Sequence, residues 1–293
     1  MSRTLPFVWL DVFASRPLEG NQLAVFPDAR GLSDEEMQAI ARETHLSETT
    51  FVFPEELARD LEHGFRTRIF AVQGEMPFAG HPTLGTASVL ADLHRRSRVV
   101  LRLNVGPIPV SFSDHDGRRF GEMVQNDPEI GQTHDRRAVA KALGVPLDAL
   151  DATHPIQTVS TGVPFGIVSF ASLETLVRAR PSWSTMEGYL AGTDAKFLYL
   201  VCAQTVDPAA TLHARMLFSG GEDPATGSAA GPAAAWAVLH GLARPGQSVL
   251  IEQGVEVHRR SLLHTKADLR DGRPVNVRVG GYCSSVIRGE LTL

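Results

Sequence analysis

Cysteine is nearly missing from this chain. Its 293 residues include only two cysteines, Cys202 and Cys283, each in an apolar, strand-like setting. That excludes a disulfide framework and a thiolate metal centre. Long hydrophobic runs are missing as well. No stretch reaches the roughly 18 apolar residues of a membrane helix. The run from Leu5 to Leu10 is cut by Asp11, too short for a signal segment. A soluble, cytoplasmic protein is expected. Neither sign of charge dominates, with 28 Lys and Arg against 33 Asp and Glu and a net charge of −5. A nucleic-acid-binding surface is therefore not expected. The short clusters Arg95-Arg96 and Arg259-Arg260 read as solvated faces. Catalytic signatures are absent too. There is no nucleophile elbow, since Gly227-Ser228 continues as Ala229-Ala230-Gly231. There is no zinc-protease helix, no phosphate-binding loop and no dinucleotide glycine pattern after the first strand. The expected chemistry uses no cofactor and no metal.

What the chain does have is one motif written twice. One copy is Gly80-His81-Pro82-Thr83-Leu84-Gly85-Thr86-Ala87, and the other is Glu222-Asp223-Pro224-Ala225-Thr226-Gly227-Ser228-Ala229. His81 aligns with Asp223, Pro82 with Pro224, Gly85 with Gly227 and Thr86 with Ser228. Each copy follows a strand-like run and precedes an Ala-rich run. Proline is tolerated in a first helical turn, where its missing N–H has no partner to lose. The pattern therefore predicts helices beginning near Pro82 and Pro224, with His81 and Asp223 at or near the N-caps. Both helix bodies are rich in small residues, which predicts burial. A helix N-terminus receives anions well, and Gly80 and Gly220-Gly221 would admit close backbone approach. Two such mouths would suit a small carboxylate. The structural alternative is an Asp cap and a turn histidine, and Asp caps are common. Duplication accounts for the glycines and prolines but not for two different titratable residues at one position.

The rest of the chain reads as two similar halves, residues 1–126 and 127–293, with a crossing of the last strand back to the first half left open. Strands are expected over Phe7–Phe13, Gln22–Phe26 after a Gly20-Asn21 turn, Thr49–Phe53, Gly64–Val72, Val99–Leu103 and Ile108–Phe112. Ser33-Asp34-Glu35-Glu36 is a capping signature for a helix running to Thr44. Asp116-Gly117 reads as a hairpin turn, and Asn126 to Thr133 as the linker. In the second half, helices are expected over Asp135–Leu143 and Leu173–Arg178. Strands are expected over Gln157–Ser160, Phe165–Phe170, Lys196–Val201, His213–Phe218, Val249–Val257, Val275–Val279 and Ser285–Leu291.

Gly20-Asn21, Leu46-Ser47-Glu48-Thr49-Thr50-Phe51, Pro77 to Gly85 and the run Glu222 to Gly231 together resemble the PhzF-like family, which includes the phenazine-biosynthesis isomerase. The resemblance covers essentially the whole chain in order. It implies the α+β diaminopimelate-epimerase-like fold, in which two pseudo-symmetric domains each wrap a mixed sheet round a central helix and the active site lies between them. It also implies roles. Glu48 matches the carboxylate that shuttles the proton, His81 and Asp223 its assisting polar residues, and Ser228 a substrate-binding hydroxyl. Ser47, Gly80 and Gly227 match positions lining the cleft. A homodimer is implied by the resemblance alone.

By itself Glu48 would read as a surface carboxylate at a strand start, the common fate of a glutamate. The resemblance makes it the expected base, with a partly desolvated cleft tuning it and His81 and Asp223 sharing charge. The leading function is a cofactor-independent isomerase moving a proton on a small carboxylate. One alternative is an amino-acid epimerase or racemase. Relatives on that fold place two cysteines at the two helix mouths, where this chain has His81 and Asp223. The other is a non-catalytic binding or regulatory protein that kept the pocket.

Overall fold

The structure is a computed structural model that describes residues 3–115 and 117–293. In chain order the elements are β1 (Thr4–Val12), β2 (Asn21–Phe26), α1 (Asp34–Thr44), β3 (Glu48–Phe53), α2 (Leu57–His63), β4 (Phe65–Ala71), β5 (Glu75–Met76), α3 (Gly80–His94), β6 (Arg98–Leu103), β7 (Gly106–His115) and β8 (Arg118–Val124). There follow β9 (Glu129–Thr133), α4 (Arg136–Leu143), β10 (Gln157–Ser160), β11 (Pro164–Ser169), α5 (Leu173–Arg178), α6 (Trp183–Leu190), β12 (Phe197–Cys202), β13 (Leu212–Phe218), β14 (Gly221–Asp223), α7 (Gly227–Leu239), β15 (Ser248–Gln253), β16 (Ser261–Arg270) and β17 (Arg273–Thr292). The chain forms two compact units. One takes residues up to Val124 together with Gly280–Leu293, and the other Gln125–Val279. Among the described residues, no helix is long and apolar enough to cross a membrane.

In the first unit the strands close on themselves. The end of β17 pairs antiparallel with β1, and β1 with β2. Next, β2 runs parallel to β3, β3 antiparallel to β4, and β4 parallel to β6. The pairs β6–β7 and β7–β8 are antiparallel, and β8 returns to β17. The short strand β5 hangs on β4 as a hairpin. Helix α3 packs against β1, β2, β3, β6, β7 and β8. Its residues Gly80 to Ala87 are all buried, as are Leu90 and Ala91. A helix surrounded in this way has no solvent face to keep polar, which is why it shows no amphipathic pattern. Small residues let it fit: a Cβ on Gly85 would lie 2.6 Å from Leu23 Cδ2. Helix α1 covers the outside of the sheet, with Met37, Ile40 and Ala41 against Phe26, Phe51 and Phe70. Its start follows the expected capping box, Ser33 accepting from Glu36 N and Glu36 reaching back to Ser33 N.

In the second unit β9–β10 and β10–β11 are antiparallel, β11–β12 is parallel, and β12–β13 and β13–β14 are antiparallel. Then β13–β15 is parallel and β15–β16 antiparallel. Helix α7 packs against β10, β11 and β16, and nearly all of it is buried. Helices α4, α5 and α6 cover a separate core around Leu143, Val168, Leu176 and Leu200.

Three expectations need correction. Residues 129–133 of the expected linker form β9. Gly131 there is not a loop marker. Asp194 Oδ2 would lie 2.3 Å from a Cβ at that position, and it accepts from Gln132 N. The last two expected strands are one, β17, which crosses the boundary between the units. Gly280 interrupts the apolar pattern because the strand passes close to β8, not because the strand breaks. The strand expected over Val249–Val257 stops at Gln253, because Gly254 turns the chain at φ +76°. Of the expected Asp116-Gly117 turn, Asp116 lies outside the described residues, and β7 and β8 do pair from His115 to Arg118.

A Cβ on Gly280 would sit 2.6 Å from the Gly121 carbonyl oxygen and 2.8 Å from the Phe120 ring. Backbone cannot yield there as a side-chain tip would. Gly280→Ala is expected to lower stability by about 1–3 kcal/mol, the usual cost of overpacking. Urea unfolding measures it, and an unchanged midpoint would refute the close-approach reading.

Candidate functional site

The first unit assembles its polar centre from three element starts. Strands β2 and β3 run parallel, with Leu23 beside Glu48. Asn21 opens β2, Glu48 opens β3, and His81 lies in the first turn of α3. Sequence put His81 at the N-cap and Pro82 at the first helical position. The helix instead starts at Gly80 with Ala79 as N-cap, so His81 and Pro82 are its second and third residues. The extra turn is held by Ala79, whose carbonyl accepts from the Thr83 backbone N–H at 3.3 Å and from the Thr83 hydroxyl at 2.7 Å.

Around Glu48 the chain is tied down on both sides. Helix α1 ends in a left-handed His45, which turns buried Leu46 inward and leaves Ser47 exposed before Glu48. The Thr49 hydroxyl bonds Thr44 at the end of α1, and the buried Thr50 hydroxyl bonds Thr86 of α3, each at 2.8 Å. His81 Nε2 then lies 3.4 Å from Glu48 Oε2, with the two side chains 6% and 14% exposed. On its other side, His81 Nδ1 lies 3.3 Å from the Asn21 amide nitrogen.

Burial pushes the His81 imidazole down to about 3, outweighing a backbone hydrogen bond with Gln22 that pulls it the other way. The ring is therefore neutral at neutral pH. Its contact with Glu48 is one between an uncharged imidazole and a carboxyl group, not an ion pair.

The second unit builds around Asp223, the half-buried last residue of β14. The second motif copy departs from the first here. Helix α7 starts at Gly227 with Thr226 as N-cap, so Asp223 and Pro224 precede it instead of opening it. Gly220-Gly221 turn the β13–β14 hairpin, with Gly221 at φ +131°. Next to Asp223, Glu222 takes both Nε and Nη2 of buried Arg215, at 2.8 and 2.7 Å. Adjacent strand residues point to opposite faces, so this pair locks the hairpin without engaging Asp223.

Gln253, at the end of β15, replaces the missing helical turn. Its Oε1 accepts from Thr226 N at 3.1 Å and from the Tyr199 hydroxyl at 2.8 Å. Its Nε2 donates to the Asp223 carbonyl at 2.7 Å and to Thr226 Oγ1 at 2.9 Å. Thr226 Oγ1 lies 2.7 Å from Asp223 Oδ2. Gly254 fits beside Pro224, whose carbonyl oxygen would lie 2.5 Å from a Cβ there. Gly227 and half-buried Ser228 open α7, and Gln125 Nε2 donates to the Gly227 carbonyl at 2.9 Å. Pro232 has no N–H to offer the Ser228 carbonyl.

Of the predicted residues, Glu48, His81 and Gly80 come together in the first unit with Ser47 beside them. Asp223, Gly227 and Ser228 cluster in the second. Sequence reading treated Asn21 as a turn residue and missed Thr226, Tyr199 and Gln253. The one available signal for Gln253 was the polar pair Glu252-Gln253 closing an apolar strand before a glycine. The cysteines lie elsewhere, on β12 and β17, and burial raises both thiols, Cys283 to about 12. His213 is buried between Glu252 and Glu256. Desolvation would lower it, but those hydrogen bonds carry it up to about 9. A hollow of about 400 Å³ in the second unit is lined by Arg180, Trp183, Arg215, Phe218, Glu222 and Glu256, not by Asp223 or Ser228.

A family model described as phenazine biosynthesis-like protein (PhzC-PhzF) matches residues 10–289. An uncharacterized isomerase of Mesorhizobium japonicum is 39% identical over 99% of both chains. The trans-2,3-dihydro-3-hydroxyanthranilate isomerase of Pseudomonas fluorescens is 34% identical, covering 98% of this chain and 99% of that protein. Among solved structures, a predicted epimerase of Pseudomonas aeruginosa is similar with TM-score 0.84 and 37% identity, over 98% of this chain and 99% of that one. A hydroxyproline epimerase of Agrobacterium vitis, 13% identical over 99% of this chain and 92% of that one with TM-score 0.61, shares the fold alone.

The burial of His81 makes a pH prediction. Unfolded, the ring takes up a proton near pH 6.5; folded, not until about 3. Between these values the unfolded state binds more protons, so stability rises with pH and this contribution is lost as pH falls from 6.5. From pH 6.5 to 5 the loss is about 2 kcal/mol. Urea unfolding at both pH values should show His81→Gln losing less than the parent by about that amount. Equal losses would mean that His81 is protonated in the folded protein.

Proposed function

The chain belongs to the phenazine biosynthesis-like protein family, PhzC-PhzF, and is an isomerase, and we propose that it moves a proton within a small carboxylate substrate with Glu48 as the acid–base group. The observation that supports this most is the Glu48 carboxyl held 3.4 Å from a neutral, buried imidazole. A base that must both take and return a proton works best in a partly dry setting with a fixed partner. In the proposed step Glu48 removes a proton from carbon. The C–H electron pair shifts along the substrate's unsaturated system, and the same carboxyl returns the proton to another carbon. Atoms and electrons balance without redox partner or cofactor.

Burial keeps His81 neutral, so its proposed part is to orient Glu48. Asp223 is proposed as an assisting polar residue. Ser228 and the first-turn N–H groups of α7 would hold the substrate carboxylate, and Ser47, Gly80 and Gly227 are proposed as substrate-binding residues. In support, the Thr226 side chain does not cap its own helix, because its hydroxyl is turned to Asp223. A two-thiol epimerase mechanism is disfavoured by the positions of Cys202 and Cys283 on β12 and β17. We also propose that the two units are pseudo-symmetric. Both pass from an antiparallel pair through a parallel pair, two antiparallel pairs and a second parallel pair, with the central helix before the last parallel strand.

The substrate named for the Pseudomonas fluorescens relative, a cyclic amino carboxylate, is the first to test. Purified protein in deuterium oxide is expected to place deuterium on a carbon of this compound, or of another small cyclic or amino carboxylate, as read by NMR. Glu48→Gln should cut that exchange by about 10²–10⁴-fold while keeping the ligand-induced thermal shift. Parent-like exchange in Glu48→Gln would remove Glu48 from the mechanism.

A further inference from the structure

The hollow of about 400 Å³ in the second unit joins aromatic walls to charged ones. Its aromatic lining is half-buried Trp183, which opens α6, and Phe218, which ends β13. The Phe218 ring lies over Gly220, where a Cβ would meet Cε2 of the ring at 2.5 Å, so the glycine lets the ring stay there. The charged lining is Arg180, Arg215, Glu222 and Glu256. Three of these have partners. Arg215 directs Nε and Nη2 to Glu222, and Nη1 to the Leu176 and Ala179 carbonyls at 2.8 and 3.0 Å. Exposed Arg180 directs Nη1 to the Val177 and Ala179 carbonyls at 2.6 and 2.9 Å. Glu256 differs. Its Oε1 accepts from His213 Nε2 at 2.9 Å, but its buried Oε2 has no hydrogen-bond partner, in a side chain 8% exposed.

The neighbours leave that oxygen negative. His213, protonated at neutral pH, is shared between Glu256 and Glu252, which it meets at 2.8 Å. Glu252 also accepts from the Val206 and Asp207 backbone N–H groups, at 2.5 and 2.8 Å. Glu256 Oε2 receives no such donor. A dry carboxylate oxygen with nothing to accept is costly, and a donor brought by a ligand removes that cost. One open oxygen suits a compact ammonium more than a guanidinium, whose fork matches two. A calcium or magnesium ion needs several oxygen ligands, and among the described residues no three His, Cys, Asp or Glu are grouped to hold a metal. Aromatic rings in the same lining favour a cation and can cover an apolar body.

We propose that this hollow binds a small primary amine with an aromatic or apolar body, the ammonium donating to Glu256 Oε2 and the body lying against Trp183 and Phe218. The lining includes neither Asp223 nor Ser228, so occupancy here is measurable separately from the proposed reaction.

The test is a proton–nitrogen NMR titration of the full chain at neutral pH with 2-phenylethylamine and with tryptamine. The control is 3-phenylpropionate, which keeps a similar body and lacks the ammonium. Both amines are expected to bind saturably, in the millimolar range or tighter, and to move the Trp183 indole signal, which its loss in Trp183→Leu identifies. The control should leave that signal in place. Affinities of variants are read from the shifting amide signals. Glu256→Gln should weaken both amines about tenfold or more, the size of a hydrogen bond to a charged group. Trp183→Leu and Phe218→Leu should each weaken them by a few-fold, and Ser228→Ala should bind them as the parent does. The amide spectrum shows whether Glu256→Gln folds, since the change also touches His213. If it does not fold, the Trp183 and Phe218 variants decide, and parent affinity in both overturns the proposal. No saturable binding of either amine, equal binding of 3-phenylpropionate, or parent affinity in a folded Glu256→Gln overturns it as well. Affinity lost in Ser228→Ala and kept in Glu256→Gln would move the amine to the proposed reaction site and overturn it too.

Discussion

Burying the first turn of α3 is the constraint on which the first unit's polar centre depends. A protonated imidazole inside a ring of strands would lack water and would be costly. Keeping the ring neutral lets His81 sit there, with its two nitrogens directed to Asn21 and Glu48. That burial needs a helix thin enough to be enclosed, which is why its first eight residues include two glycines and no large side chain beyond His81 and Leu84. The strand pairing then matters as much as the helix. The starts of β2 and β3 come together because the two strands run parallel, and this brings residues 21 and 48 to one end of the sheet.

Features carried by neighbouring residues were legible in the sequence. The capping box of α1 involves Ser33 and Glu36, three residues apart, and the structure reproduces it. Burial of α3 and α7 was legible because both runs are rich in small residues. The start of α7 was not. The rule that favours proline in a first turn is local, and it fits the first motif copy to within two residues. In the second copy a side chain 27 residues away supplies the bonds that a helical turn would have made, and the helix starts after the proline. Nothing in the motif itself announces Gln253.

The end of the chain was misread for a similar reason. Gly280-Gly281 looks like a break, yet it is a point of close backbone approach inside one long strand. In the same way, Gly131 looks like linker and serves contact with Asp194. A glycine in a strand marks either a turn or a near neighbour, and only tertiary structure decides between them. Likewise, Glu48 reads as a surface carboxylate from its local sequence. Its half-buried position follows from two threonine ties, one to α1 and one to α3.

The two motif copies place a titratable residue at the same position and treat it in opposite ways. Histidine in the first copy is dried until it cannot hold a charge. Aspartate in the second is half-buried and accepts from the Thr226 hydroxyl at 2.7 Å. The shared sequence pattern therefore specifies the turn that carries the residue. The drying of one turn and the hydrogen-bonding of the other come from elements far along the chain: Asn21 and the strand ring for His81, Gln253 and Tyr199 for Asp223.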